Sequence, residues 1–203
     1  MQQPQQRVRE VMWTPHELPG LDHLRLIVRE QSATNAADIA IFANGLIIGI
    51  DEHQPFRIQY RIACDSRWRV RTMQLSRLDG AAQPLAIGAD GAGHWYDNSG
   101  VALPALDDCV DIDLSATPFT NTLPIRRLTL QPGVSAEITT AYVQIPSLEL
   151  STSHQRYERL ADGPDGAVYR FTALASGYTA DLTVDADGLV IEYPDLFHRV
   201  WSK

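Results

Sequence analysis

Two carboxylates one residue apart, Asp111 and Asp113, carry the most suggestive chemistry in this sequence. On an extended strand both side chains point to the same face, while the apolar residues around them point to the other. Such a pair could cleave glycosides, a reaction in which carboxyl separations of about 5–5.5 Å or about 6.5–9.5 Å decide the mechanism. The pair could as well form salt bridges to Arg126 or Arg127. We prefer the salt bridges, because nearby hydroxyls can complete the hydrogen bonds that a buried ion pair needs.

A hydroxyl-rich loop, SATPFTNTLP, follows the carboxylates. It contains Thr120 and Asn121, and its two prolines fix φ at about −65° and remove two backbone donors. The loop is therefore predicted to be neither a helix interior nor a central strand. A strand is predicted over Ile125–Leu130, and its alternation would place Arg126 and Arg127 on opposite faces.

The elements that would position these groups are short strands. Alternating apolar and polar runs are separated by turns rich in Gly, Pro and Asp, a pattern typical of an antiparallel, meandering all-β domain. Asn44-Gly45 is the strongest hairpin signal, although Gly49 fits a continued, bent strand equally well. The closing stretch YPDLFHRVW is predicted to be a short helical or irregular cap over the sheet.

Arginines cluster on two predicted neighbouring strands around a turn at residues 64–66. They would share one face only if the turn preserves the alternation of the strands. We prefer a solvent-facing patch that pairs with carboxylates, and the alternative is a clamp for an anionic headgroup. The arginines in question are Arg57, Arg61, Arg67, Arg69 and Arg71.

Trp95 lies in the glycine-rich run DGAGHWYD. An exposed indole face could stack on a sugar ring, because aromatic faces pack well against flat apolar surfaces. The alternative is a stiff hairpin that plugs one end of the sheet, since Trp is commonly half-buried whatever its role. The sequence leaves these two interpretations equal.

Composition limits the class of protein. With 203 residues the chain fits one β domain over residues 1–203, of which residues 1–7 are predicted to be disordered. Two cysteines in apolar runs, Cys64 and Cys109, fit reduced thiols, and the sequence shows neither a signal peptide nor a transmembrane segment, so we expect a cytoplasmic protein. A net charge of −8 argues against nucleic acid as a partner.

The residues favour neither a metal nor another cofactor. The six histidines lack the HxH, HxxxH and HExxH spacings of zinc sites, and the two cysteines are far apart. The run DADGL lacks the third oxygen ligand and the closing Glu of a calcium loop. We interpret it as a turn.

Six runs, in this order, resemble the bacterial putative glycolipid-binding family: VMWTPHELPGLDHLRL, PFRIQYRIACDSRWRVRTMQL, DGAGHWYD, CVDIDLSATPFTNTLPIRRL, HQRYERL and VDADGLVIEYPDLFHRVW. The resemblance extends from Val11 to the C-terminus. It implies a single antiparallel, strongly curved sheet known as a spiral β-roll, similar in shape to carriers of lipids and of lipid-anchored proteins. It supplies no catalytic residues.

Three functions follow as hypotheses. The favoured one is a glycolipid- or lipid-binding carrier that holds an apolar chain within the curved sheet and performs no catalysis. The alternatives are a hydrolase of glycosides or esters that uses Asp111 and Asp113, and a structural subunit that forms a homo-oligomer through an exposed sheet edge. The candidate ligand-binding residues are Asp111, Asp113, Thr120, Asn121, Arg126, Arg127, Trp95, Arg156 and Tyr157.

Overall fold

The computed structural model describes residues 6–29, 38–80 and 83–203 of the chain. The strands in these ranges form one 14-stranded sheet. Two 3-10 turns, Pro104–Leu106 and Pro118–Asn121, and one short helix, α1 (Thr122–Leu128), accompany the sheet. The strands are β1 (Gln6–Pro15), β2 (Leu21–Arg29), β3 (Ile39–Asp51), β4 (Gln54–Asp65), β5 (Val70–Arg77), β6 (Leu85–Ala89), β7 (Trp95–Asp97), β8 (Asp111–Leu114), β9 (Ser135–Gln144), β10 (Glu149–Arg159), β11 (Ala167–Ala173), β12 (Tyr178–Val184), β13 (Val190–Tyr193) and β14 (Phe197–Ser202).

The sheet consists of two meanders that meet at the two ends of the chain. Its strand order is β7-β6-β5-β4-β3-β2-β1-β14-β13-β12-β11-β10-β9-β8, so β1 and β14 lie side by side in the middle. Every pairing is antiparallel except that of β8 with β9, which is parallel. The predicted all-β fold with one curved sheet is confirmed, and the sheet is not closed into a barrel. No helix in the described ranges is long and apolar enough to span a membrane.

The prediction for the C-terminal end of the chain needs correction. Residues 197–201 of the stretch predicted as a helical or irregular cap belong to β14, which pairs with β1 from Pro15↔Phe197 to Val11↔Ser202. A strand forms there because the backbone N–H and C=O groups along β1 need hydrogen-bond partners. Of the stretch predicted to be disordered, residues 1–5 lie outside the described residues, and Gln6 and Arg7 begin β1.

Asn44-Gly45 lies inside β3 and does not form a hairpin turn. The turn comes later, where Asp51 pairs with Gln54. Gly45 is required for another reason: a Cβ there would overlap the ring of Tyr60 on the neighbouring strand. The glycine therefore marks a close approach of an aromatic ring to the backbone.

We expect Gly45→Ala to destabilise the protein by about 1–3 kcal/mol, because the new methyl group displaces the buried Tyr60 ring. Gly88→Ala is the matched control. Gly88 also lies in a strand, and the nearest atom to an added Cβ is 3.8 Å away. Urea unfolding of the two variants measures the difference, and equal stability of both would contradict this account of Gly45.

The five arginines around the β4–β5 turn do not form one face. The register between these strands shifts where Ala63 pairs with Thr72 and Cys64 with Val70, so the alternation is not preserved across the turn. Arg69 and Arg71 instead donate hydrogen bonds to the carbonyl oxygens of Gly91 (3.3 Å) and Ala89 (3.1 Å). The condition for a shared patch is not met.

The strand predicted over Ile125–Leu130 is wrong, because residues 122–128 form α1. The two prolines of this segment occupy first-turn positions of the 3-10 turn and of α1, where a missing backbone donor leaves no helical hydrogen bond broken. Thr117 caps the 3-10 turn by accepting a hydrogen bond from the Phe119 amide (3.1 Å). Proline here starts helical structure.

The 3-10 turn and α1 fill the inner side of the sheet, where an apolar hollow was expected. Phe119 and Leu123 are fully buried in the main core, and Phe119 stacks on Tyr60 with ring centroids 6.3 Å apart. Ile125 belongs to a second core, which β10–β13 build. The central segment therefore joins the two halves of the sheet from inside.

Candidate functional site

Four of the candidate residues belong to one buried polar cluster. The Asp113 carboxylate accepts hydrogen bonds from the Thr120 hydroxyl (3.0 Å) and from the Gln155 side-chain amide (2.7 Å). The Tyr157 hydroxyl donates to the side-chain amide oxygen Oδ1 of Asn121 at 2.8 Å. Burial raises the pKa of Asp113, while the bonds from Gln155 and Thr120 lower it. The cluster fastens the 3-10 turn to β8 and β10.

Asp111 forms the expected salt bridge, and its partner is Arg127. The guanidinium Nε contacts both carboxylate oxygens, at 3.0 and 3.1 Å, and Nη2 contacts one of them at 2.5 Å. Burial raises the pKa of the fully buried Asp111, and Arg127 opposes this shift. Because protein groups already bind both carboxylates of the pair, the geometry supplies no support for the hydrolase hypothesis, which stays a prediction.

The other three candidates lie apart from this cluster. Trp95 is buried and donates its indole N–H to the backbone carbonyl oxygen of Cys109 at 2.7 Å. The Arg126 guanidinium lies 5.3 Å from the Trp68 ring centroid. Arg156 is exposed, 3.9 Å from Glu137. Ligand contact by any of the nine candidates stays a prediction.

The two cysteines are free and buried, which confirms the expectation of unpaired thiols inside the fold. Burial raises the pKa of Cys109 to about 11 and raises that of Cys64 well above its usual value. Neither thiol is therefore an activated nucleophile.

An apolar groove that no sequence pattern predicted lies at the surface of the protein, with a volume of about 290 Å³. Ser115 and Ala116, which begin the hydroxyl-rich loop, form part of its wall. The central segment therefore links the buried polar cluster to an open surface. The groove is lined by Pro15, Glu17, Leu18, Pro19, Leu21, Asp22, Ile47, Ile48, Gly49, Ile50, Asp51, Phe56, Ser115, Ala116, Gln144, Ile145, Asp195, Leu196 and Phe197.

Asp22 is the buried acid of this groove. Its Oδ2 accepts hydrogen bonds from the hydroxyls of Thr117 (2.5 Å) and Tyr60 (3.3 Å), whereas its Oδ1 is buried and has no hydrogen-bond partner among the described residues. Burial raises the pKa of Asp22 to about 7, against the lowering effect of the two hydroxyls. A carboxyl with one unused oxygen can accept a hydrogen bond from a ligand, or donate one when protonated.

The sequence did contain a signal for Asp22. Leu24 and Leu26 define the buried face of β2, and Asp22 continues this face by the same period of two. An acid at an inward position is costly unless it has partners or a role, so the pattern itself singles out this residue.

These features define an all-β protein built on one open, curved sheet, with its inner side filled by its own central segment and an apolar groove at its surface. Residues 10–199 match the family described as "Putative glycolipid-binding", and the chain belongs to this family.

One solved structure supports the same fold. It is the crystal structure of a DUF1089 family protein from Pseudomonas aeruginosa, with 37% sequence identity and a TM-score of 0.74. The alignment covers 89% of this chain and 92% of that chain. A comparison with curated proteins gives no match.

Proposed function

We propose that this protein binds an amphiphilic, lipid-like ligand whose apolar part lies in the groove at Asp22. The observation that carries the proposal is the convergence of four exposed aliphatic residues on one groove. Between 39% and 60% of the surface of each of these residues is open to solvent. Exposed apolar groups gathered at a concave surface are typical of binding sites. The residues are Leu18, Ile48, Ile50 and Leu196.

The size of the groove limits how much of the ligand it holds. Its volume of about 290 Å³ is at the lower end of small-molecule sites, which span about 300–1,000 Å³. The inner side of the sheet is occupied by Phe119 and Leu123. We therefore propose that the groove takes the junction between headgroup and chain, and that the remainder of the chain follows the outer aliphatic surface.

The family description supports a binding role, and glycolipid is the ligand class it suggests. Carriage of the ligand between membranes and a cytoplasmic location stay predictions. So does a homo-oligomer, although the outermost strands of the sheet, β7 and β8, are short, with three and four residues. Short edge strands offer little backbone for pairing with a second copy.

The test uses a neutral apolar fluorophore, N-phenyl-1-naphthylamine, as the probe. We expect saturable binding to the full chain, and binding about tenfold weaker for the double variant Leu18→Ser with Ile48→Thr. Tenfold corresponds to about 1.4 kcal/mol, the order expected from a partial loss of two aliphatic contacts.

The control for this test is the double variant Val101→Ser with Val134→Thr. Both valines are exposed and lie outside the groove, so we expect the affinity of the unmodified chain. The proposal fails if the fluorophore does not bind saturably, or if the two double variants weaken binding equally.

A further inference from the structure

We propose that the groove selects a neutral, hydroxyl-bearing headgroup and rejects anionic ones, with Asp22 as the residue that hydrogen-bonds a hydroxyl of that headgroup. This inference rests on the proposed function, because it assigns the headgroup of the same ligand. The floor of the groove, around the buried Asp22, and its rim, where the exposed Glu17, Asp51 and Asp195 lie, contribute differently to this selection.

The floor supplies a hydrogen-bonding group with unused capacity. Asp22 is 2% exposed, and the Thr117 and Tyr60 hydroxyls occupy only its Oδ2. Within residues 6–29, 38–80 and 83–203 the buried Oδ1 has no hydrogen-bond partner, a state that costs free energy until another group supplies one. Two hydroxyls already bind this carboxyl, so a third hydroxyl, from a ligand, matches the chemistry of the site.

The rim supplies a charge filter. Its ionisable side chains are Glu17, Asp51 and Asp195, and none of the described lining residues is Arg, Lys or His. No salt bridge joins these three carboxylates to a cation within the described part of the chain. A sulfate, phosphate or carboxylate headgroup would thus meet only like charge, which disfavours its binding.

The remaining choice is between a neutral and a cationic headgroup. The floor around Asp22 is apolar, with Leu21, Ile47 and Phe56 among its lining, and its nearby polar side chains, Ser115 and Gln144, are uncharged. Moving an ammonium group into such surroundings removes hydration that the uncharged floor does not replace. A hydroxyl is much cheaper to desolvate when it gains a hydrogen bond. The neutral headgroup is therefore the better match.

The experiment compares three amphiphiles with the same eight-carbon chain, each below its critical micelle concentration, by isothermal titration calorimetry. They are octyl β-glucoside, octyl sulfate and octyltrimethylammonium. We expect octyl glucoside to bind at least about tenfold more tightly than octyl sulfate, and more tightly than the ammonium compound. Because the chain is constant, the differences report the headgroup alone.

Variants then separate the contribution of Asp22 from that of the three rim carboxylates. For Asp22→Ala we expect the preference for octyl glucoside over octyl sulfate to fall about fivefold, because the side chain that bonds the headgroup hydroxyl is removed. Asp22→Asn, which keeps hydrogen-bonding atoms, should restore part of the loss. For the exposed triple variant Glu17→Gln, Asp51→Asn and Asp195→Asn, we expect the preference for glucoside over sulfate to fall at least threefold.

The triple variant also keeps the test decisive if Asp22→Ala does not fold, because all three of its positions are exposed. Equal or tighter binding of octyl sulfate, tightest binding of the ammonium compound, or an unchanged preference in the triple variant would overturn this inference. Binding of the fluorophore without binding of any of the three amphiphiles would also overturn it, yet leave the proposed function standing. Failure of the fluorophore to bind would remove the proposed function itself.

Discussion

Replacing Asp22 by asparagine is expected to make the free energy of unfolding less dependent on pH between about 4 and about 7. Burial raises the pKa of Asp22 from 3.8 to about 7 in the folded protein. Over this window the folded state keeps a proton that the unfolded state releases, so the stability of the unmodified protein falls as pH rises. A shift of this size corresponds to a contribution of about 4 kcal/mol to the free energy of unfolding. This contribution is fully present below the window and is lost above it.

Urea unfolding near pH 4 and near pH 8 measures the effect. From the lower to the higher pH, the free energy of unfolding of Asp22→Asn should rise by about 4 kcal/mol relative to that of the unmodified chain. The Asn amide that replaces Oδ1 lacks a partner, which offsets part of the gain at every pH by about 1–3 kcal/mol without changing the slope. Asp51→Asn controls for the loss of one carboxyl at the groove. Parallel stability curves for Asp22→Asn and the unmodified chain would show that Asp22 is not buried in this way.

The second large effect is expected at the ion pair of Asp111 and Arg127. Arg127→Met leaves the fully buried Asp111 carboxylate without its cation, and breaking a buried pair from one side costs about 3–5 kcal/mol. Asp111→Asn should cost less, because the Arg127 side chain is 18% exposed and can turn to water. Urea unfolding of both single variants and the double variant gives the coupling energy of the pair.

An exposed ion pair provides the control for this cycle. Arg170 and Asp181 contact each other at 2.8 Å across β11 and β12, with more than 40% of each side chain exposed. Arg170→Met should therefore cost only about 0–1 kcal/mol. If Arg127→Met and Arg170→Met cost the same, the Asp111 pair does not contribute as a buried ion pair.

These two sites differ in how far the sequence could anticipate them. The salt bridge followed from Asp111 and from two arginines close in sequence, and the structure selects Arg127 because α1 turns that side chain towards β8. The groove could not be anticipated, because its walls come from segments near residues 15–22, 47–51, 115–116, 144–145 and 195–197. Only the curvature of the sheet brings such distant segments together.

The secondary-structure predictions that were wrong also depended on contacts between distant segments. The structural role of the two prolines in the hydroxyl-rich loop and of Gly45 depended on the segments that pack against them. Gly45 accommodates the Tyr60 ring and marks no turn, and the prolines begin short helical segments that pack inside the sheet. The C-terminal strand exists because β1 is there to pair with it.

The sequence by itself determined the all-β class, since alternation with a period of two and turn residues are local properties that each strand carries without reference to the others. The tertiary structure alone decided which segment fills the inner side of the sheet, and which strands pair in the middle of the sheet. It also decided that Asp22 lines an apolar groove. The physical reason is that burial and curvature depend on contacts between residues up to about 190 positions apart, and no local pattern encodes those contacts.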